Sequence, residues 1–189
     1  MLSRKAEVRT SGLTVFGAAE RRSLHRATTL AEDLTGKFYC IPGREWPRYP
    51  CEIRTLAEGP GPEAPAFADV VRMVPDPEAA REDGLGQLFR IRLRDDAILQ
   101  AVERRGDGIA LFPLLLYIVT HELVHVVRFG SGFAPYHAAR HRRWQEEERV
   151  HAITRGVLRP VADASVRKVI ELYGDEPAIP ALPDCASSK

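Results

Sequence analysis

Lysine is nearly missing from this chain. It stands only at Lys5, Lys37, Lys168 and Lys189, so arginine carries almost the whole basic side of the balance. With the many alanines and prolines, this reads as genomic composition bias before it reads as function. Net charge is missing too: 27 basic residues against 26 acidic ones leave a formal charge of +1. Such a chain sets up no general field toward nucleic acid or an anionic membrane, and neither partner is expected. Cysteine is scarce. Cys40, Cys51 and Cys185 are too few and too irregular for a disulfide framework or a cysteine zinc knuckle. A reducing, cytoplasmic compartment is the expectation, with a bridge from Cys40 to Cys51 across the Pro-rich turn between them as the alternative. Long apolar runs are lacking as well. Ile109 to Val119 stops short of a bilayer span before it meets His121 and Glu122. The patch from Leu13 to Ala19 is interrupted by threonine and glycine and preceded by Glu7, which argues against a secretory signal. There is no internal repeat and no low-complexity block.

What is present suits one globular core: 189 residues, 44% apolar and 28% charged. A single domain over 1–174 is expected, with a disordered Pro-rich tail over 175–189. Leu24, Ala27, Leu30, Ala31 and Leu34 recur at helical spacing and predict a helix over 18–34, stopped by Gly36. Strands are expected at 51–57 and 67–74, separated by a Gly/Pro loop over 58–65. A polar connection over 75–87 leads to the clearest alternation in the chain. There Phe89, Ile91 and Leu93 face one way and Arg90, Arg92 and Arg94 the other, as in a half-buried antiparallel or edge strand. Asp95 or Asp96 can cap a short helix reaching Arg105. A buried helix over 111–129 has Pro113 in its first turn and Gly130 and Gly132 at its exit. Helices over 138–158 and 160–173 follow, the last closed by Gly174. The fold class is α+β, a small antiparallel sheet packed on four or five helices.

The buried helix carries His121-Glu122-Leu123-Val124-His125. Histidines four apart share one helix face, one turn apart, so both imidazoles can converge on one tetrahedral cation. Glu122 projects beside them, placed to accept a proton from a water that the metal has made acidic. An apolar helix is a costly place for two histidines and a glutamate unless a metal or partners compensate them.

His121 to His125 resembles the signature of the zincin metallopeptidases, and the wider arrangement is similar to their glutamate-zincin branch. Arg128 and Ser131 stand where the metzincin extension requires glycine and histidine, which excludes that branch. The likeness covers the helix at 111–129 and the one after it, and does not extend over the first hundred residues. It implies a Zn2+ ion, a peptide or protein substrate, hydrolysis with Glu122 as general base, and a third ligand from a glutamate on the next helix. Glu146, Glu147 and Glu148 are on offer. Glu147 shares a face with His151 and Thr154 and is the choice for third ligand. His151 then stands where the family has an acid that orients a metal-bound histidine, which is a departure and leaves His151 itself open as third ligand. Tyr136 and His137, in the turn between the two helices, are candidate donors to the developing oxyanion. The Arg-lined strand at 88–94 is a candidate edge for pairing with an extended peptide.

Two rival readings use the same residues. Glu122-x-x-His125 and Glu148-x-x-His151 repeat the motif of di-iron carboxylate bundles, which would make the protein an oxidase or iron-binding protein. The strand-like segments and the missing pair of glutamate-bearing helices argue against it. A zinc-stabilised regulatory module without proteolysis is the other, and the presence of Glu122 argues mildly against that.

Overall fold

The computed structural model describes residues 13–41, 50–63, 66–73, 88–104, 108–137 and 139–174. The expected connection at 75–87 and the tail at 175–189 lie outside the described residues. Along the chain run α1 (Ala18–Phe38), β1 (Cys51–Arg54), β2 (Ala68–Met73), β3 (Leu88–Leu93), α2 (Asp95–Glu103), α3 (Leu111–Gly130), α4 (Arg140–Leu158), a 3-10 turn (Arg159–Val161) and α5 (Ala164–Tyr173). The class is α+β.

The most apolar helix, α3, sits at the centre and packs against α1, α2, α4, α5 and β2. It is 20 residues long and apolar enough to cross a membrane by composition, yet 89% of its most apolar window is buried inside the protein. Every residue from Pro113 to Phe129 is buried. The helix ends in a left-handed turn. Gly132 takes φ +71°, the Phe133 N–H donates to the Arg128 carbonyl at 2.9 Å and the Gly132 N–H to the Phe129 carbonyl at 3.2 Å. Gly132 is thus the expected stop, because a left-handed residue at the end of a helix favours glycine.

Gly36 is not the stop of α1. The helix runs through it to Phe38, and the left-handed position falls on Cys40, φ 54°, with the Ile41 N–H donating to the Gly36 carbonyl at 2.8 Å. Cys40 and Cys51 are free thiols. At the other end of the chain, the Asp163 carboxylate caps α5 by accepting from the N–H groups of Ser165 and Val166, both at 2.9 Å.

The sheet corrects two expectations. Its order is β1-β3-β2, with β3 parallel to β1 and antiparallel to β2, so it is mixed rather than purely antiparallel. The alternating strand is the central one, paired on both sides, and therefore offers no edge to a peptide. Phe89, Ile91 and Leu93 are fully buried as expected. The arginines opposite are tied across the strands: Arg90 pairs with its register partner Glu52, which Arg54 also holds at 2.8 Å, and the Arg92 Nε donates to its register partner Asp69 at 2.9 Å. Opposite charges directly across a ladder stabilise the pairing. β1 is also shorter than expected. After Arg54 the chain turns, with Glu58 accepting from the Thr55 N–H at 2.9 Å.

Asp95 does not cap α2. It is fully buried, and its two carboxylate oxygens accept from the backbone N–H groups of Phe16 at 2.8 Å and Leu56 at 3.1 Å. One side chain therefore fastens the segment before α1, the turn after β1 and the start of α2 to one another. Burial pushes its carboxyl up from the ordinary range, against the pull of those hydrogen bonds.

Candidate metal centre

Four aromatic residues at four-residue spacing, Tyr117, His121, His125 and Phe129, form a stripe along one face of α3. The helix α4 lies against this face and presents Glu147 and His151, again four apart. His121 is fully buried, His125 and His151 nearly so, and Glu147 reaches in from the rim.

The donor atoms converge. The Nε2 atoms of His121 and His125 are 3.2 Å apart, and the Glu147 Oε2 lies 3.4 Å from the first and 3.3 Å from the second. A four-coordinate zinc with bonds of about 2.05 Å holds its ligands about 3.3 Å apart along each tetrahedral edge. The three donors therefore already form one face of such a tetrahedron. His151 is more loosely placed: His121, Glu147 and His151 each bring a donor atom within 4.8 Å of the others. Its Nδ1 lies 2.7 Å from the Tyr117 hydroxyl, which also donates to the Tyr173 carbonyl at 3.3 Å. Tyr117 was not singled out from the sequence, although its position four residues before His121 on the same face was the available signal.

The three consecutive glutamates separate into three roles. Glu147 faces the histidines. Glu146 receives the buried Arg128 through two nitrogens, with Nη2 to Oε2 at 3.0 Å, and Arg149 at 3.3 Å. Glu148 is exposed.

The electrostatics show what the groups want of one another. Burial depresses the His121 imidazole to about 4, with Glu147 pulling the other way. Burial also opposes the charged form of His125, but the neighbouring Glu147 carboxylate outweighs it and holds this imidazole above its ordinary value. Burial likewise raises Glu147, and the positive charge and hydrogen bonds of the two histidines overcome this to keep it well below the usual carboxylate range. Glu122 is pushed up to about 8 by burial, reinforced by the charges of Glu147 and Asp69 and opposed by His125. Among the described residues its Oε1, like the Nδ1 atoms of His121 and His125, is buried without a hydrogen-bond partner. The pocket thus gathers carboxylates and imidazole lone pairs whose negative charge a proton on His125 partly balances, a role that a bound divalent ion would take over. In one respect the support is thinner than usual for metal-bound histidines, since neither Nδ1–H has an acceptor among the described residues.

Tyr136 lines a cavity beside the centre that His125 and Glu147 also line, and its hydroxyl is engaged by β2. The Tyr136 hydroxyl accepts from the Arg72 N–H at 3.0 Å and donates to the Val70 carbonyl at 3.3 Å, bracing the outer edge of β2. Its ring packs edge-on against Phe129, while His137 is exposed beside it.

Comparison with protein-family models, with curated proteins and with solved structures finds no match to this chain.

Proposed function

We propose that the protein is a zinc-dependent metallohydrolase, a peptidase by preference, with His121, His125 and Glu147 as ligands and Glu122 as general base. The observation that carries this reading is the triangle of two Nε2 atoms and one Oε2 at 3.2 to 3.4 Å, with the buried Glu122 on the same helix turn. The donor set of two imidazoles and a carboxylate is one that zinc accepts, and it leaves a fourth position open. A divalent ion held there supplies Lewis acidity toward carbonyl and water, and positive charge that favours the ionised form of Glu122. Glu122 takes a proton from a water attacking the carbonyl carbon, then gives it to the amide nitrogen as the C–N bond breaks. His121 and His125 are fixed by α3, and Glu147 by α4, so the rigid packing of these two helices sets the distance between ligands and base.

The di-iron alternative loses support at Glu148, whose exposure removes the second carboxylate of its repeated motif. A non-catalytic metal module draws support from His151, which brings a donor within 4.8 Å of those of His121 and Glu147 and would close the coordination shell if it moved inward. Zinc content and peptide hydrolysis, measured together on the wild type and on Glu122→Gln, separate the readings. The catalytic one requires about one zinc in both proteins and hydrolysis in the wild type alone. Two irons per chain, or hydrolysis persisting in Glu122→Gln, would contradict it.

A further inference from the structure

The two halves of α4 are held in different ways. From its middle onward the helix buries Val150, Thr154, Val157 and Leu158 in the core. Over 141–149 the one apolar side chain is Trp144, and it is 52% exposed. The half that carries Glu147 therefore has no buried apolar side chain to fix its rotation. That rotation matters because three glutamates stand in a row. Successive helical residues point about 100° apart, so a turn of α4 by that amount would present Glu146 or Glu148 where Glu147 now stands.

On α3, Arg128 follows His125 by three positions and so lies next to it on the helix surface. Its buried guanidinium reaches Glu146 through Nε and Nη2, the latter at 3.0 Å from Oε2. Two N–H donors on one carboxylate fix its orientation as well as its distance. Adjacent glutamates of α4 are thus received by neighbouring positions of α3: Glu146 by Arg128, and Glu147 by His121 and His125 at 3.4 and 3.3 Å. Arg149 also reaches Glu146, at 3.3 Å, but it belongs to α4 itself and cannot fix that helix against α3. Stability alone does not call for such a pair. A buried ion pair can be replaced by apolar residues at little or no cost, and its best-attested use is to select one register among several.

We propose that Arg128 and Glu146 are positioning residues of the metal centre: their paired bonds set the rotation of α4 against α3, so that the centre receives Glu147 rather than Glu146 or Glu148. The inference rests on the metal reading of the centre and extends it to two residues that donate nothing to the ion.

The test measures zinc affinity by competition with a chelator of known affinity, under conditions where circular dichroism shows each protein folded, and urea midpoints of the stripped proteins alongside. Glu146→Gln and Arg128→Gln should each weaken zinc by about 10-fold or more. Arg128→Lys, which keeps the charge and loses the fork, should fall between them and the wild type, and it carries the test if the glutamine variants fail to fold. The double variant should be no more than about 3-fold weaker than the weaker single one, because the two residues act as a unit. Asp95→Ala, which destabilises through the N–H groups of Phe16 and Leu56, serves as the control for stability and should lower the midpoint with zinc affinity unchanged. Zinc bound within about 3-fold of the wild type by all the Arg128 and Glu146 variants, or weakened as much by Asp95→Ala, would overturn the proposal and leave the centre standing. A wild type that binds no zinc would overturn the centre and the proposal with it.

Discussion

Stripping and restoring a metal should change the stability of this protein by an amount that the buried centre sets. The stripped chain holds His121, Glu122, His125 and His151 at 6% exposure or less, with one imidazole depressed to about 4 and one carboxyl raised to about 8. An ion that binds only the folded state adds RT ln(1 + [L]/Kd), about 2.7 kcal/mol when free zinc is a hundred times Kd. In a chain of this length each kcal/mol moves Tm by about 2–4 °C, so the rise should be about 5–11 °C. Scanning fluorimetry of chelator-treated protein with graded zinc measures it. Glu147→Ala, which removes one corner of the donor triangle, should abolish the rise at the same zinc concentration, whereas His151→Ala should keep most of it. Binding should also release protons, because Glu147 holds His125 above its ordinary pKa and a protonated imidazole cannot be a ligand. Apparent affinity should therefore fall as pH falls through the His125 pKa. A Tm unmoved by zinc, or a rise in His121→Ala and Glu147→Ala as large as in the wild type, would refute the assignment of the centre.

Four further outcomes follow from the same structure. Glu122→Gln should retain zinc and lose hydrolysis by about 100-fold or more, checked by metal content and turnover of a peptide pool. In the stripped protein a folded Glu122 pKa of about 8, above its unfolded value near 4.5, contributes stability that is complete below 4.5 and lost as pH rises toward 8. The loss runs at up to about 1.4 kcal/mol per pH unit, and denaturant titrations between pH 6 and 8.5 should show it in the wild type and not in Glu122→Gln. Asp95→Ala strands two buried N–H groups and should destabilise by about 2–4 kcal/mol, read as a lower urea midpoint, while Asp95→Asn should recover part of it. Cys40→Gly relieves a left-handed residue and should stabilise by about 0.5–1 kcal/mol in the same assay.

The helices were legible because their signals are local. The periodicity of α1, the apolar run of α3, Pro113 inside it and Gly132 beyond its end each act within a few residues. Sheet order was not, since nothing in the alternation of Phe89, Ile91 and Leu93 says whether one neighbour or two will pair with it. The arginines looked solvent-facing because their partners, Glu52 and Asp69, arrive from strands far away in sequence. Asp95 misled for a related reason. A carboxylate at the start of a helix has the same local pattern whether it caps its own N–H groups or reaches those of Phe16 and Leu56. At the centre, helical spacing sufficed to pick Glu147 from three adjacent glutamates. The engagement of Tyr136 with β2 depended on a tertiary contact that spacing does not encode, whereas Tyr117 lay within reach of the same four-residue rule that found the histidines.

The stripe on α3 has a kinetic consequence. The histidines face inward from the helix that every other helix, and β2, packs against, and the exits run through Glu147 and the cavity wall of α4. An ion held there would pass the Glu147 carboxylate at the rim on its way in or out. Added chelator should therefore strip the protein through that rim, and faster in Glu147→Ala than in the wild type.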